Sequence, residues 1–296
     1  MKIQQWLVAF LILLSAHKFS RAQSTNDWFP INLPADDGFI PEDKTFWFLP
    51  AISTEPAGVH GFLTADAEGH FRFEDGTPVR FVGVNLVAGA AFPDSAMAKT
   101  VARRLAKFGV NLVRLHHLDN FSLDSRETLI TPGSDTRHLN PEQFARLDYF
   151  IHQLALHGIY ISITLNSARR FQTGDGVTRA DSLPLHAKAV SLFESRLIFL
   201  QQEHAGNLLS HQNPHTGLRY AEDPRIAMLE ISNENSLYAA WKQDLLNGRR
   251  VYDSGLSHFH QQMLDSLWHD FLRNKYGDSN SLRQAWLEGV SGRESE

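Results

Sequence analysis

Cysteine is absent from the 296 residues. That excludes disulfides, thiolate nucleophiles and cysteine-ligated zinc, so the fold rests on its core. A basic excess is missing as well. The net charge is −5 and the pI about 6.3, which is not the footprint of a nucleic-acid binder. No G-x-G-x-x-G or G-x-x-x-x-G-K-[ST] run follows any apolar segment, so nucleotide folds lose their main signature. Long apolar runs are missing too: Trp6–Leu14 falls short of the roughly 20 residues that a membrane helix needs.

That short run has another use. Lys2 precedes it and Ser20-Arg21-Ala22 follows it, the pattern of a secretion signal over residues 1–22. The alternative is an anchor that stays uncleaved. The expected location is secreted, periplasmic or cell-surface, with no stable membrane insertion after signal removal. Residues 23–69, with much Pro, Asp and Asn and scattered aromatics, read as an irregular N-terminal segment.

From residue 70 the pattern becomes regular. Residues 70–84 alternate apolar and polar around Asp75-Gly76, a hairpin signal. Arg80–Leu86 reads as a strand, then a helix from Asp94 to about Phe108. Asn111–His116 is a second strand. Asn140 and Pro141 fit the N-cap and first position of a helix to about His157, with Phe144, Leu147, Ile151 and Leu154 at helical spacing. Ile159–Leu165 is a third strand, and a helix is expected over about 189–210. The run from Ile226 is a fourth strand, and helices follow near 257–275 and 279–288. Near-continuously apolar strands alternating with helices predict an α/β fold with a covered parallel sheet.

Polar residues gather at the C-terminal ends of these strands. Asn85 closes the first, His116, His117 and Asp119 the second, Asn166 the third and Asn233, Glu234 and Asn235 the fourth. Parallel α/β folds build their sites on that rim. Glu230 and Arg114 are charges inside apolar strands. A buried charge needs a partner, so they are expected to pair with each other beneath the site. Alternation along an extended strand would put Glu230, Ser232 and Glu234 on one face.

Four segments together carry a resemblance. The run NPHTGLRYAEDPRIAMLEISNEN (213–235) has Thr216-Gly217, Tyr220, Asp223-Pro224 and Ile226 leading into Asn233-Glu234. Upstream stand FEDGTPVRFVGVNL (73–86) and KFGVNLVRLHHLD (107–119). In this order they resemble the glycoside hydrolases of clan A, the family 5-like cellulases and mannanases. One departure is Asn235, where many of those enzymes have proline.

The resemblance implies a (β/α)8 TIM barrel, here broken off after about four βα units, with residues 70–296 as its N-terminal part. It implies a retaining O-glycoside hydrolase acting on a poly- or oligosaccharide. Glu234 would be the acid/base, and Asn233 would bind the sugar 2-hydroxyl. Such an enzyme needs a second carboxylate about 5–5.5 Å from the acid. In the clan it closes the seventh strand, so it is expected beyond residue 296, and this chain alone is expected to be inactive. Arg114, His116, His117, Asn85, Asn166 and Asn235 are candidate substrate contacts, and Tyr238 and Trp241 candidate sugar-stacking platforms. No cofactor and no metal are expected. The alternatives are a non-catalytic carbohydrate-binding protein on the same scaffold and a metal-dependent hydrolase built on His116, His117 and Asp119. Arg169, Arg170 and Phe171 either line a cleft or sit on a solvated loop. His152, His204, His258, His260 and His269 read as surface or hydrogen-bonded core groups.

Overall fold

A computed structural model describes residues 55–120, 128–247 and 255–290, so the expected signal segment and most of the irregular segment lie outside the described residues. Strands β1 (Leu63–Ala65) and β2 (Phe71–Phe73) form an antiparallel hairpin. Then come β3 (Gly83–Val87), helix α1 (Ser95–Lys107), β4 (Leu112–His116), α2 (Pro141–Leu156) and β5 (Tyr160–Thr164). Helix α3 (Ser195–Ser210), β6 (Ile226–Glu230), α4 (Leu237–Lys242), α5 (His258–Tyr276) and α6 (Ser279–Val290) complete the order.

The sheet β3-β4-β5-β6 is parallel and its spatial order is its sequence order. A doubly wound sheet reverses direction at a switch point; this one does not. With right-handed crossovers, each step in the same direction puts its helix on the same face. That is the winding of half of a (β/α)8 barrel.

The two faces differ as that winding requires. Val84 and Leu86, Val113 and Leu115, Ile161 and Ile163 join one core with Ala98 and Ala102 of α1, Phe144, Leu147, Ile151 and Leu154 of α2 and Leu208 of α3. The alternate residues Asn85, Arg114, His116, Ser162 and Thr164 take the opposite face, where pairing aligns Asn85 with Arg114 and Arg114 with Ser162. A register shift beside Ile161 and Ser162 interrupts β6, after which Glu230 lies opposite Thr164 on the polar face.

Local chemistry sets the boundaries. The Asp94 carboxylate accepts from Met97 N at 2.8 Å to start α1, and Asn140 caps α2 ahead of Pro141. Both helices hand over to the next strand through a left-handed glycine, Gly109 at φ 74° and Gly158 at φ 72°. The first strand begins later than its apolar run predicts. Asn111 accepts from Val82 N at 2.7 Å and donates to Arg80 O at 2.8 Å, so a side-chain amide replaces the ladder there. Asp75-Gly76 does make a turn, with Gly76 at φ 87°, but Pro78 leaves only an isolated bridge to Arg72. The hairpin partner of β2 is upstream, at 63–65, so the regular fold begins before residue 70.

Helix α3 starts at Ser195, not near 189, because Glu194 caps it by accepting from Leu197 N. Before it, 167–194 forms a long loop of short 3₁₀ turns. This loop owns a second apolar cluster in which Val177, Ala187, Ala189 and Val190 pack on Leu197, Leu200, Ala240 and Leu256. The lead-in to β6 is stapled to α2: buried Tyr220 donates to Asp148 Oδ1 at 2.8 Å, and His211 Nε2 lies 2.8 Å from Oδ2. Burial, reinforced by the Asp148 charge, pushes the Tyr220 phenol well above its ordinary pKa. No helix among the described residues is long and apolar enough to cross a membrane.

Candidate active site

Arg114 is the hub of the polar face. Its Nε donates to Glu230 Oε2 at 3.0 Å, its Nη1 to Asn85 Oδ1 at 3.3 Å and its Nη2 to Asn233 Oδ1 at 2.9 Å. Nη2 also donates to Glu230, as does the Thr164 hydroxyl. Burial pushes the Glu230 carboxyl up, but the Thr164 and Arg114 hydrogen bonds outweigh it and hold it below its ordinary value. Glu230 is therefore a fixed anion at neutral pH.

His116 continues the network. Its Nδ1 lies 3.2 Å from Thr164 Oγ1. Since that hydroxyl spends its hydrogen on Glu230, Nδ1 must be the donor. Burial, with the nearby His117 and Arg114, lowers the His116 pKa to about 4, so the ring is neutral at pH 7. The His117 ring lies against it, with centroids 3.9 Å apart. The Asp119 carboxylate is fully buried and accepts from Ser167 N, Ser167 Oγ and Ala168 N at 2.7–3.0 Å. It joins the loop after β4 to the loop after β5, which occupies the oxygens that a His116-His117-Asp119 metal site would use. Among the described residues, ligand atoms close enough to share an ion occur only at Asp66, Glu68 and His70, on the hairpin turn.

Glu234 lies past the end of β6, so strand alternation does not reach it. Its φ is +46°, an uncommon region for a residue with a side chain. The flanking amides hold it there. Asn233 donates its N–H to Asn166 O at 2.9 Å, while its Oδ1 faces Arg114. Asn235 Oδ1 accepts from Ala189 N at 2.8 Å, and its Nδ2 donates to Ser191 Oγ at 2.9 Å. The Glu234 side chain is 81% exposed, and its Oε2 lies 3.7 Å from Lys188 Nζ. Lys188 also donates to Glu234 O at 3.3 Å. Glu234 thus borders an open groove of about 790 Å³ with Pro184, Lys188, Ser236 and Gln243. That size suits a small-molecule or oligosaccharide segment.

The sequence-predicted residues therefore divide. Arg114, Glu230, Asn85, His116 and Asn233 form one hydrogen-bonded cluster with Thr164, which the sequence did not single out. Asn235 spends both ends of its amide on the 189–191 loop. Asn166 is buried and donates to Ile231 O at 3.0 Å. Tyr238 and Trp241 stand on α4, 66% and 64% exposed, with ring centroids 5.9 Å apart. Arg169 does not sit on a solvated loop. It is buried and donates to Thr136 Oγ1, Thr136 O and Leu200 O at 2.7–2.9 Å. His204 and His260 are buried with Nε2 unpartnered, so neither is a surface group nor a fully hydrogen-bonded core group. Lys188 and His186 were missed because nothing local marks them; their roles come from a loop folded across the rim.

The fold and rim define a parallel α/β protein of barrel-type winding whose polar groups converge at the C-terminal strand ends. No protein-family model matches the chain, and no curated protein matches it. Among solved structures it is similar to an endo-1,4-β-mannanase from Rhizomucor miehei, with 23% identity over 63% of this chain and 57% of that one, at a TM-score of 0.48. A glycoside hydrolase family 5 mannosidase from Rhizomucor miehei shows 20% identity over 63% and 52%, at 0.47. An endo-β-1,4-mannanase from Thermotoga petrophila shows 22% identity over 58% and 39%, at 0.45. The chain spans about half the length of the solved structures it matches.

Proposed function

We propose that the chain carries the acid/base side of a retaining O-glycoside hydrolase that is exported and acts on a poly- or oligosaccharide. The observation that supports it most is the Asn233-Glu234 pair on the rim of a barrel-wound sheet, with Glu234 lining an open groove. Tyr238 and Trp241 are exposed on α4, the helix whose Ala239 and Ala240 line that groove. Glu234 gives its proton to the leaving glycosidic oxygen and later takes one from water. Asn233 Oδ1 is turned to Arg114, which directs its Nδ2 donor the other way, toward a sugar hydroxyl. Tyr238 and Trp241 offer flat apolar faces to sugar rings. Glu230 is held by Arg114 and Thr164 and serves as their anchor, so the nucleophile is a different carboxylate.

The test is Glu234→Gln in the active protein. Hydrolysis of substrates with poor leaving groups should fall by about 10²–10⁴-fold. Activated aryl glycosides, which need no proton, should lose much less. Equal loss on both would rule out the acid role. One observation favours a second reading: the Glu234 carboxylate is exposed and paired with Lys188, with solvent where a general acid wants an apolar wall. On a non-catalytic binding protein, Glu234→Gln would change affinity and no turnover would be found with either substrate class.

A further inference from the structure

A second, much smaller cavity of about 20 Å³ shares His186, Lys188, Ser232 and Asn235 with the groove and is also lined by Asn166 and Asn233. Two of its lining residues carry a buried polar atom with no partner: Asn166 Oδ1 and His186 Nδ1. Asn166 is more than nine-tenths buried, and its other end is committed to Ile231 O. The Nδ1 atom of the His186 ring accepts or donates according to tautomer. The residue sits at φ +57° in the strained loop 186–189.

Asn166 Oδ1 is an acceptor, and His186 Nδ1 is an acceptor or a donor by tautomer. Leaving either without a partner is costly. The requirement is a small group that gives one hydrogen bond and gives or takes another. A cavity of this size exceeds the roughly 10–15 Å³ that one water needs, and leaves no room for a sugar ring.

We propose that this cavity is a seat for a single water or hydroxyl group, held by Asn166 Oδ1 and His186 Nδ1. In the free protein the occupant is an ordered water that donates to Asn166 Oδ1 and hydrogen-bonds His186 Nδ1. In the loaded site it is either that water or one hydroxyl of the bound sugar, which gives its one hydrogen to Asn166 Oδ1 and accepts from His186 Nδ1–H. The sugar form rests on the glycosidase reading above; the water form does not. His186 then becomes a specificity-determining residue, since a sugar lacking a hydroxyl at that point leaves both atoms bare.

A crystal structure of the full chain tests this. The free protein should show one ordered water within about 2.7–3.2 Å of both atoms. A dry cavity, or a water touching only one of them, overturns the seat. Crystals soaked in mannotetraose and in cellotetraose separate the sources: a sugar hydroxyl in place of the water assigns the seat to substrate, and an unmoved water assigns it to solvent. If the water is present but neither sugar binds, the seat stands and the glycan reading fails. Two variants add a second check. His186→Asn keeps a polar atom at the Nδ1 position, and His186→Gln keeps one at Nε2. The water should survive in the first and vanish in the second; the reverse would take the seat away from Nδ1. Density is the readout, not melting, because asparagine tolerates the left-handed backbone better than glutamine.

Discussion

Arg114→Met removes a guanidinium while keeping an unbranched side chain of similar reach. It deletes the donors to Glu230, Asn85 and Asn233, and leaves the Glu230 carboxylate with Thr164 alone. Breaking a buried ion pair from one side costs about 3–5 kcal/mol. Here the two side chains keep 28% and 34% of their exposure, so water recovers part of that. A loss of about 2 kcal/mol follows, discounted for that screening. In a domain of this size it lowers the melting temperature by about 4–8 °C.

A double-mutant cycle locates the loss. Glu230→Gln should destabilise alone, yet the pair Arg114→Met/Glu230→Gln should be less destabilised than the two effects added, by about 1 kcal/mol or more. Acidification gives a third reading. The Glu230 carboxyl titrates below its ordinary 4.5, so the stability it contributes is full above that pH and is lost as pH falls through the lower folded value. In the arginine variant burial is opposed chiefly by the Thr164 hydrogen bond, so protonating Glu230 costs the variant less than it costs the wild type. The gap in stability between wild type and variant should therefore narrow from pH 7 to pH 4, measured by denaturant midpoints. An unchanged melting temperature, strict additivity or a gap independent of pH would each refute the hub assigned to Arg114.

Three further outcomes are expected. The His116 pKa is lowered to about 4 from 6.5, so its stability contribution is full above pH 6.5 and drains away as pH falls toward 4; His116→Gln should flatten that part of the profile, and a variant profile parallel to wild type would count against it. His204 titrates in the same window, which is why the difference between the two proteins is the measurement. Asn111→Ala should cost about 1 kcal/mol and speed hydrogen exchange at the Val82 amide; unchanged exchange would mean that the amide tie is not protective. Trp241→Ala should leave the melting temperature unchanged, because the ring is exposed, and weaken oligosaccharide binding by about 0.5–1.5 kcal/mol in calorimetry. Equal affinity would remove the ring from the binding surface.

Much of the scaffold was legible because local signals agreed with one another. Asp94 and Asn140-Pro141 mark helix starts by their own chemistry, and the apolar strand runs place β4 and β5 within a residue or so. The Arg114–Glu230 contact was legible for a different reason: each charge sits in an apolar strand, and a charge there needs an opposite one. What could not be read depends on groups far apart in the chain. The late start of β3 is set by Asn111, the partner of β2 lies upstream of an apparent hairpin, and residues 189–191, expected in α3, are instead bonded to the Asn235 amide. The contact between the 186–191 loop and the 233–235 rim has no local trace, so Lys188 and His186 stayed invisible. The continuation of the Glu230 face to Glu234 failed because β6 carries a register shift and ends at Glu230.

The two amides beside Glu234 have a physical reason. Glu234 stands off the sheet, where Arg114 already holds Glu230. The chain therefore turns sharply at Glu234, into a left-handed conformation that costs about 1–2 kcal/mol for a residue with a Cβ. Such a turn persists only if its neighbours are fixed. Asn233 is tied to the sheet through Arg114 and Asn166, and Asn235 to the loop through Ala189 and Ser191. Asparagine suits both positions because its side chain offers an acceptor and a donor without a charge. An aspartate at 233 would compete with Glu230 for Arg114, and one at 235 would set a second anion beside Glu234. The amides thus hold the backbone on either side and leave the carboxylate between them exposed at the groove.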